Sequence, residues 1–231
     1  MTTKSQEFLQ IPAALTKRID EFSHFTNTDV ALISYVVFHR YDRGFNSVCN
    51  IKMLLKWFGL KDHTGNIKKV KGILANAQNR YLNIRPELKA ERSLPISNFN
   101  VNTLLRISFK PEFISFMSSH HFQRVPRSCI EAIVNHNNYD VADLSCYYLL
   151  LSAGMKDEFD EDFKDEIEAM KSKYYSIIRI AATLDISPTT AKRALTRLEE
   201  LGVIRCDEKR KIGMTSNGFY SDPITYRFAI V

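Results

Sequence analysis

The chain has 231 residues, enough for one large domain or two compact ones. It is 45% hydrophobic and 25% charged, which fits a globular protein able to bury a core, and its longest apolar-rich run, VALISYVVF at 30–38, is too short to span a bilayer. Lys and Arg outnumber Asp and Glu by 32 to 26, giving a net charge of +6 and a pI near 9.1, a moderate basic excess that permits a polyanionic partner.

The opening MTTKSQEFLQIP is polar and has no apolar run of the kind a secretory signal needs. Four cysteines, Cys49, Cys129, Cys146 and Cys206, lie far apart without a CxxC pair, so packing thiols in a reduced, cytoplasmic protein are expected. His120, His121, Cys129 and His136 fit no zinc-ligand spacing, and no cofactor or metal is expected. Without GxSxG, P-loop, HExxH or GxGxxG motifs, the chain does not read as an enzyme.

In chain order, FLQIP (8–12) reads as a strand and DVALISY (29–35) opens an apolar helix. IKMLLKWFGL (51–60) reads as a short amphipathic helix ending in a turn, with Trp57 and Phe58 as core anchors. NIKKVKGILANA (from Asn66) places Ile67, Val70, Leu74 and Ala77 on one face. Lys68, Lys69, Gly72 and Asn76 point away from that stripe. From Lys52 to Arg80 there are seven cations, including Lys68, Lys69 and Lys71, against the single acid Asp62. That is a substantial electrostatic footprint, and Lys68, Lys69, Lys71 and Asn76 are candidate DNA contacts. The polar stretch 83–100 reads as an extended wing between a strand near Tyr81 and one near Leu104, with Arg85, Lys89 and Arg92 able to reach phosphates or a minor groove.

FQRVP (122–126) and DVADLSC (140–146) then repeat the opening pattern. The segment 157–168 carries eight acids and one Lys and is expected to be a solvated loop leading into an amphipathic helix. IIRIAATLDI (177–186) reads as a second short helix. In SPTTAKRALTRLEELGVI (187–204), Ser187 is a good N-cap, Pro188 sits at the first helical position and Gly202 is a left-handed stop. With Ala191, Leu195 and Leu198 inward, a rotation of about 100° per residue turns Thr189, Arg193 and Thr196 outward, flanked by Thr190, Lys192 and Arg197. Thr and Arg suit a major groove: Arg bonds a guanine edge, and Thr bonds phosphate or meets a thymine methyl. A strand, a basic loop with Lys209, Arg210 and Lys211, an Asn217-Gly218 turn and a closing strand follow.

These pieces align as an internal repeat. FLQIP answers FQRVP, DVALISY answers DVADLSC, IKMLLKWFGL answers IIRIAATLDI, and the helix from Asn66 answers the helix from Thr190, at offsets of 111–126 residues. Two domains are expected, 1–115 and 116–231, each running strand, helix, helix, helix, hairpin. The fold class is mainly α with small β-hairpins, an α+β chain of two tandem winged helix-turn-helix domains.

The segment 187–204 resembles the second helix and following strand of bacterial winged-helix regulators, including the GntR-like group. The overall architecture resembles plasmid and phage replication initiators. The resemblance implies a sequence-specific binder of double-stranded DNA, most simply an initiator acting with replication or transcription machinery, and allows a homodimer. A transcriptional repressor of a mobile element and a winged-helix interaction scaffold are the alternatives. No membrane partner is expected.

Overall fold

A computed structural model describes residues 8–12, 15, 25–42, 45–118, 122–154, 175–209, 212–215, 218–221 and 225–230. Among them are eight α-helices and ten strands in small antiparallel sheets, an α+β fold. The chain divides into two compact units, Met1–Val141 and Ala142–Val231.

The first unit runs β1 (Phe8–Pro12), α1 (Asn27–Phe38), β2 (Ser47–Cys49), α2 (Ile51–Trp57), α3 (Thr64–Arg80), β3 (Leu82–Pro86), β4 (Leu105–Phe109), α4 (Pro111–Ser118), β5 (Phe122–Pro126) and α5 (Arg127–Val134). Two 3-10 turns, Lys89–Glu91 and Ile96–Asn98, interrupt the β3–β4 connection. Helix α1 is the centre of this unit: every residue from Asp29 to Phe38 is buried. It begins with a capping box, in which Thr26 and Asp29 each bond the other's backbone N–H. Trp57, 6% exposed, donates its indole N–H to the Ala31 carbonyl at 2.7 Å, and Phe58 is buried beside it, so both residues are the core anchors expected. Gly59, the next residue, has φ +65°, and a Cβ there would meet the Tyr139 carbonyl oxygen at 2.8 Å. Both the backbone and the close approach require glycine.

Helix α3 buries Val70, Leu74 and Ala77, with Ile67 half-buried at its start. Strands β2, β4 and β3 form an antiparallel sheet in that spatial order. Its inner side chains, Leu82, Ile84, Leu105, Ile107 and Phe109, alternate with outward Arg85 and Arg106. Phe113 of α4 is fully buried against Phe109 and Tyr81, at ring distances of 5.0 and 5.4 Å.

The two segments matched in the sequence as the opening motif pair with each other. β1 and β5 run antiparallel, with Phe8 opposite Pro126, Gln10 opposite Arg124 and Pro12 opposite Phe122. Each residue therefore faces the counterpart of the residue that its own copy faces, and the ribbon has a local two-fold axis through the Gln10–Arg124 pair. Leu9, Ile11, Gln123 and Val125 form its buried face. This pairing moves the domain division. The segment 116–141, assigned from the repeat to the second domain, belongs to the first compact unit because β5 needs β1 as its ladder partner.

The second unit contains α6 (Val141–Gly154, starting at the division), β6 (Tyr175–Ser176), α7 (Ile177–Leu184), α8 (Pro188–Glu200) and strands β7 (Ile204–Lys209), β8 (Ile212–Thr215), β9 (Gly218–Ser221) and β10 (Thr225–Ile230). β6, β10 and β7 form one antiparallel sheet, and β8 and β9 form a separate hairpin. Its strands meet at the Thr215–Gly218 pair around positions 216 and 217, so Asn217 of the expected turn lies outside the described residues. The acidic segment 157–168 also lies outside them. Helix α8 starts and stops as its sequence dictates: Ser187 Oγ accepts the Thr190 N–H at 3.0 Å, Pro188 is the first helical residue, and Gly202 follows the last turn at φ +65°. From α1 and from α6 onward both units run helix, strand, helix, helix, strand; β4, α4, β5 and α5 follow in the first unit and β8, β9 and β10 in the second, and the sequence reading lacked β2, β6, α4 and α5.

One buried group in the ribbon is unsatisfied. Gln123 is 1% exposed, and neither its amide oxygen nor its amide nitrogen has a partner among the described residues. Leaving such groups without hydrogen bonds costs on the order of 1–3 kcal/mol. Gln123→Leu should therefore stabilise the protein by about that amount, read as a higher urea midpoint with an unchanged slope. A lower midpoint would show that the amide is bonded.

Candidate nucleic-acid interface

In both units a buried carboxylate fixes how the third helix sits against the first. Asp29 occupies the third position of α1 and is 5% exposed. Its Oδ1 accepts the Tyr81 hydroxyl at 2.6 Å, and its Oδ2 accepts the Arg80 guanidinium at 3.0 Å, together with the Thr26 N–H and hydroxyl, each at 2.9 Å. Burial, and then the adjacent Asp29 carboxylate, hold the Tyr81 phenol well above its usual pKa, so Tyr81 remains a donor. Arg80 ends α3 and Tyr81 is its C-cap, so the carboxylate clamps the C-terminal end of α3 to the N-terminal turn of α1.

Asp143, 1% exposed, occupies the corresponding third position of α6. It receives the Arg197 guanidinium in bidentate fashion, with Nη2 at 2.6 Å from Oδ1 and Nε at 2.9 Å from Oδ2. This corrects the repeat register. The counterpart of Asp29 is Asp143, not Asp140, at an offset of 114 residues, which is also the offset between Phe8 and Phe122.

It also reassigns Arg197. The sequence placed that residue beside the DNA-facing stripe, but its side chain is only 15% exposed and is turned to Asp143. Arg197 is a strut of the second unit. Thr190 is half-buried, with its hydroxyl 2.8 Å from that of Ser187, so it belongs to the helix cap.

The other predicted residues of α8 lie on one exposed strip. Ala191, Ala194, Leu195 and Leu198 are buried, and Thr189, Lys192, Arg193 and Thr196 are exposed opposite them. Thr196 donates to the Lys192 carbonyl at 3.1 Å, which leaves its oxygen as an acceptor. Glu199 and Glu200 are exposed at the C-terminal end of the strip. Lys192 and Arg193 form no ion pair among the described residues. Lys209 ends β7, opposite Thr225 of β10; its side chain, and all of Arg210 and Lys211, lie outside the described residues.

On α3, Lys68, Lys69 and Asn76 are exposed, and neither lysine forms an ion pair among the described residues. Lys71 differs: its amine donates to the Ser97 carbonyl at 2.7 Å, which ties the helix to the second 3-10 turn. Directly after these cations comes Gly72, exposed in mid-helix, where an added Cβ would meet nothing within 4 Å. No packing demand accounts for a glycine there, although it costs the helix about 1 kcal/mol relative to alanine. It leaves bare backbone on the outward face, which the sequence reading had not singled out for that purpose. Arg85 and Arg92 are exposed around the β3–β4 connection, and Lys89 lies exposed in its first 3-10 turn.

No protein-family model matches the chain, and neither a curated protein nor a solved structure is significantly similar to it. Among the described residues, no helix is long and apolar enough to cross a membrane.

The geometry separates two arginines four residues apart. Arg197→Ala strands a buried carboxylate and should cost about 3–5 kcal/mol of stability. Arg193→Ala should stay within about 0.5 kcal/mol of the parent. Urea denaturation of both variants checks the assignment; equal losses would contradict it.

Proposed function

We propose that the chain is a non-enzymatic, sequence-specific binder of duplex DNA, with each unit acting as a winged helix and the whole working as a replication initiator. The observation that carries this reading is the exposed strip of α8. Thr189, Arg193 and Thr196 lie in line on a helix whose opposite face is buried and whose flank is locked by Asp143. A helix with an exposed arginine, unpaired among the described residues, and hydroxyls along one face meets the requirements of base-edge reading in a major groove.

The helix–strand–helix–helix–strand run shared by α1 to β3 and α6 to β7 supports two reading heads. Their chemistry differs. The α3 face offers Lys68 and Lys69, point charges suited to phosphate, one turn before the bare backbone of Gly72. The α8 face offers Arg193, whose planar guanidinium can bond a guanine in bidentate fashion. One chain then combines a charge-driven grip with a sequence reader, and covalent linkage raises the effective concentration of each head once the other is bound. The initiator role rests on the likeness of this two-headed arrangement to plasmid and phage initiators.

Recovery of DNA bound to the full chain in cells tests the role: direct repeats at a replication origin support an initiator, whereas a single promoter palindrome supports a repressor. On the recovered site, Arg193→Ala should cost about 1–3 kcal/mol of binding and relax the preference at one base position. Equal loss on all sequences would argue against base reading. The double change Lys68→Ala, Lys69→Ala should weaken binding to every duplex and lower the slope of log affinity against log salt by about two. An unchanged slope would remove α3 from the DNA.

A further inference from the structure

The sheet of the first unit carries a second polar surface, away from α3's outward strip in sequence and built from strands. On its outer face Asn83 stands opposite Ser108, and Arg85 stands opposite Arg106. With Asn46, just before β2, these four residues line a depression of about 270 Å³. All five lining side chains are polar and all can donate hydrogen bonds.

The charge arrangement is costly unless something answers it. Like charges directly opposite one another on antiparallel strands repel. Arg106 is answered: its Nε donates to Glu87 Oε1 at 2.8 Å and its Nη2 to Oε2 at 3.4 Å. Arg85 is exposed and has no ion pair among the described residues. The nearby acids are already engaged. Glu87 orients Arg106, and Asp42 holds Asn46 through both its backbone N–H at 3.1 Å and its side-chain amide at 2.7 Å. Two of the lining groups are thus braced by partners outside the depression, as supporting groups brace a binding constellation.

We propose that this depression is a phosphate-binding site, in which Arg85 and Arg106 grip the anion's oxygens and Asn83 and Ser108 add neutral donors. The phosphate belongs either to a nucleic-acid backbone or to a free phosphorylated ligand. The backbone source rests on the DNA-binding reading given above; the site itself does not. If the backbone is the source, the sheet face is a third point of contact that fixes the first unit on the duplex independently of α3.

Two measurements on the full-length protein test the site. In the first, binding of a short labelled duplex is followed by anisotropy across a salt series for the parent, Arg85→Ala and Asn83→Ala. In the second, inorganic phosphate is titrated while the arginine Nε–H resonances are observed, with chloride at equal ionic strength as control. A nucleic-acid source predicts that Arg85→Ala weakens duplex binding by roughly tenfold and lowers the salt slope by about one, with phosphate shifting the Arg85 and Arg106 signals. A free-ligand source predicts those signal shifts with duplex affinity unchanged. If phosphate moves neither resonance beyond the chloride control, and neither variant alters duplex binding, the site is overturned. Failure of the DNA reading looks different: the parent itself binds no duplex at low salt, while the phosphate titration still reports on the depression. Both substituted residues point outward from the sheet, so unchanged melting of the variants verifies that the fold is intact.

Discussion

The structure depends on an aspartate at the third position of the first helix in each unit. Burying a carboxylate is expensive, and the cost is met only when its oxygens are fully bonded. Asp29 achieves this with four donors drawn from the helix cap, the end of α3 and Tyr81. Asp143 does so with the bidentate guanidinium of Arg197. An apolar contact between first and third helices would tolerate rotation and sliding, whereas a bonded carboxylate does not. The third helix is thereby held at one rotation, and that rotation decides which residues of α3 and α8 face solvent. The composition of both exposed strips is a consequence of the clamp.

The clamp explains what could and could not be read from the sequence. The bounds and buried face of helix α8 were legible, because its cap, its first proline, its apolar stripe and its terminal glycine are all local signals. The core roles of Trp57 and Phe58 were legible for the same reason. Helix α6 was harder: it is buried from Ala142 to Ser152, so it is apolar all round and has no stripe to set its phase. Without that phase, Asp140 and Asp143 are both plausible partners for Asp29 in an alignment, and only the helix start at Val141 decides between them. Arg197 was misplaced because helical geometry gives a side chain's direction but not the acid that draws it aside. The division at Val141 was out of reach because it rests on a ladder between strands more than a hundred residues apart, and no local pattern encodes such pairing.

The opening motif shows how a likeness between two segments can mislead about boundaries. FLQIP and FQRVP, matched in the sequence as a repeat, pair with each other in a symmetric register. A boundary drawn between copies assumes that each copy folds on itself. Here the second copy of the strand completes the unit that begins with the first. The buried Gln123 stands where FLQIP has Leu9, so the two segments differ in what they bury.

The α8 strip also has a polarity along its axis. Thr189 and Arg193 lie toward the N-terminal end, where backbone N–H groups and the helix dipole favour an anion. Glu199 and Glu200 lie at the other end, where a carboxylate repels phosphate and adds to the negative end of the dipole. In the DNA reading, these gradients act together. The helix enters the groove by its first two turns, so Thr189 and Arg193 approach bases while the glutamates are kept from the backbone. A glutamate carried into the groove could still accept from a cytosine amine, but it has no favourable partner on phosphate. The acids at the end of the strip therefore do not weaken the case for base reading. They restrict it to one end of the helix and to Arg193 as its principal reader.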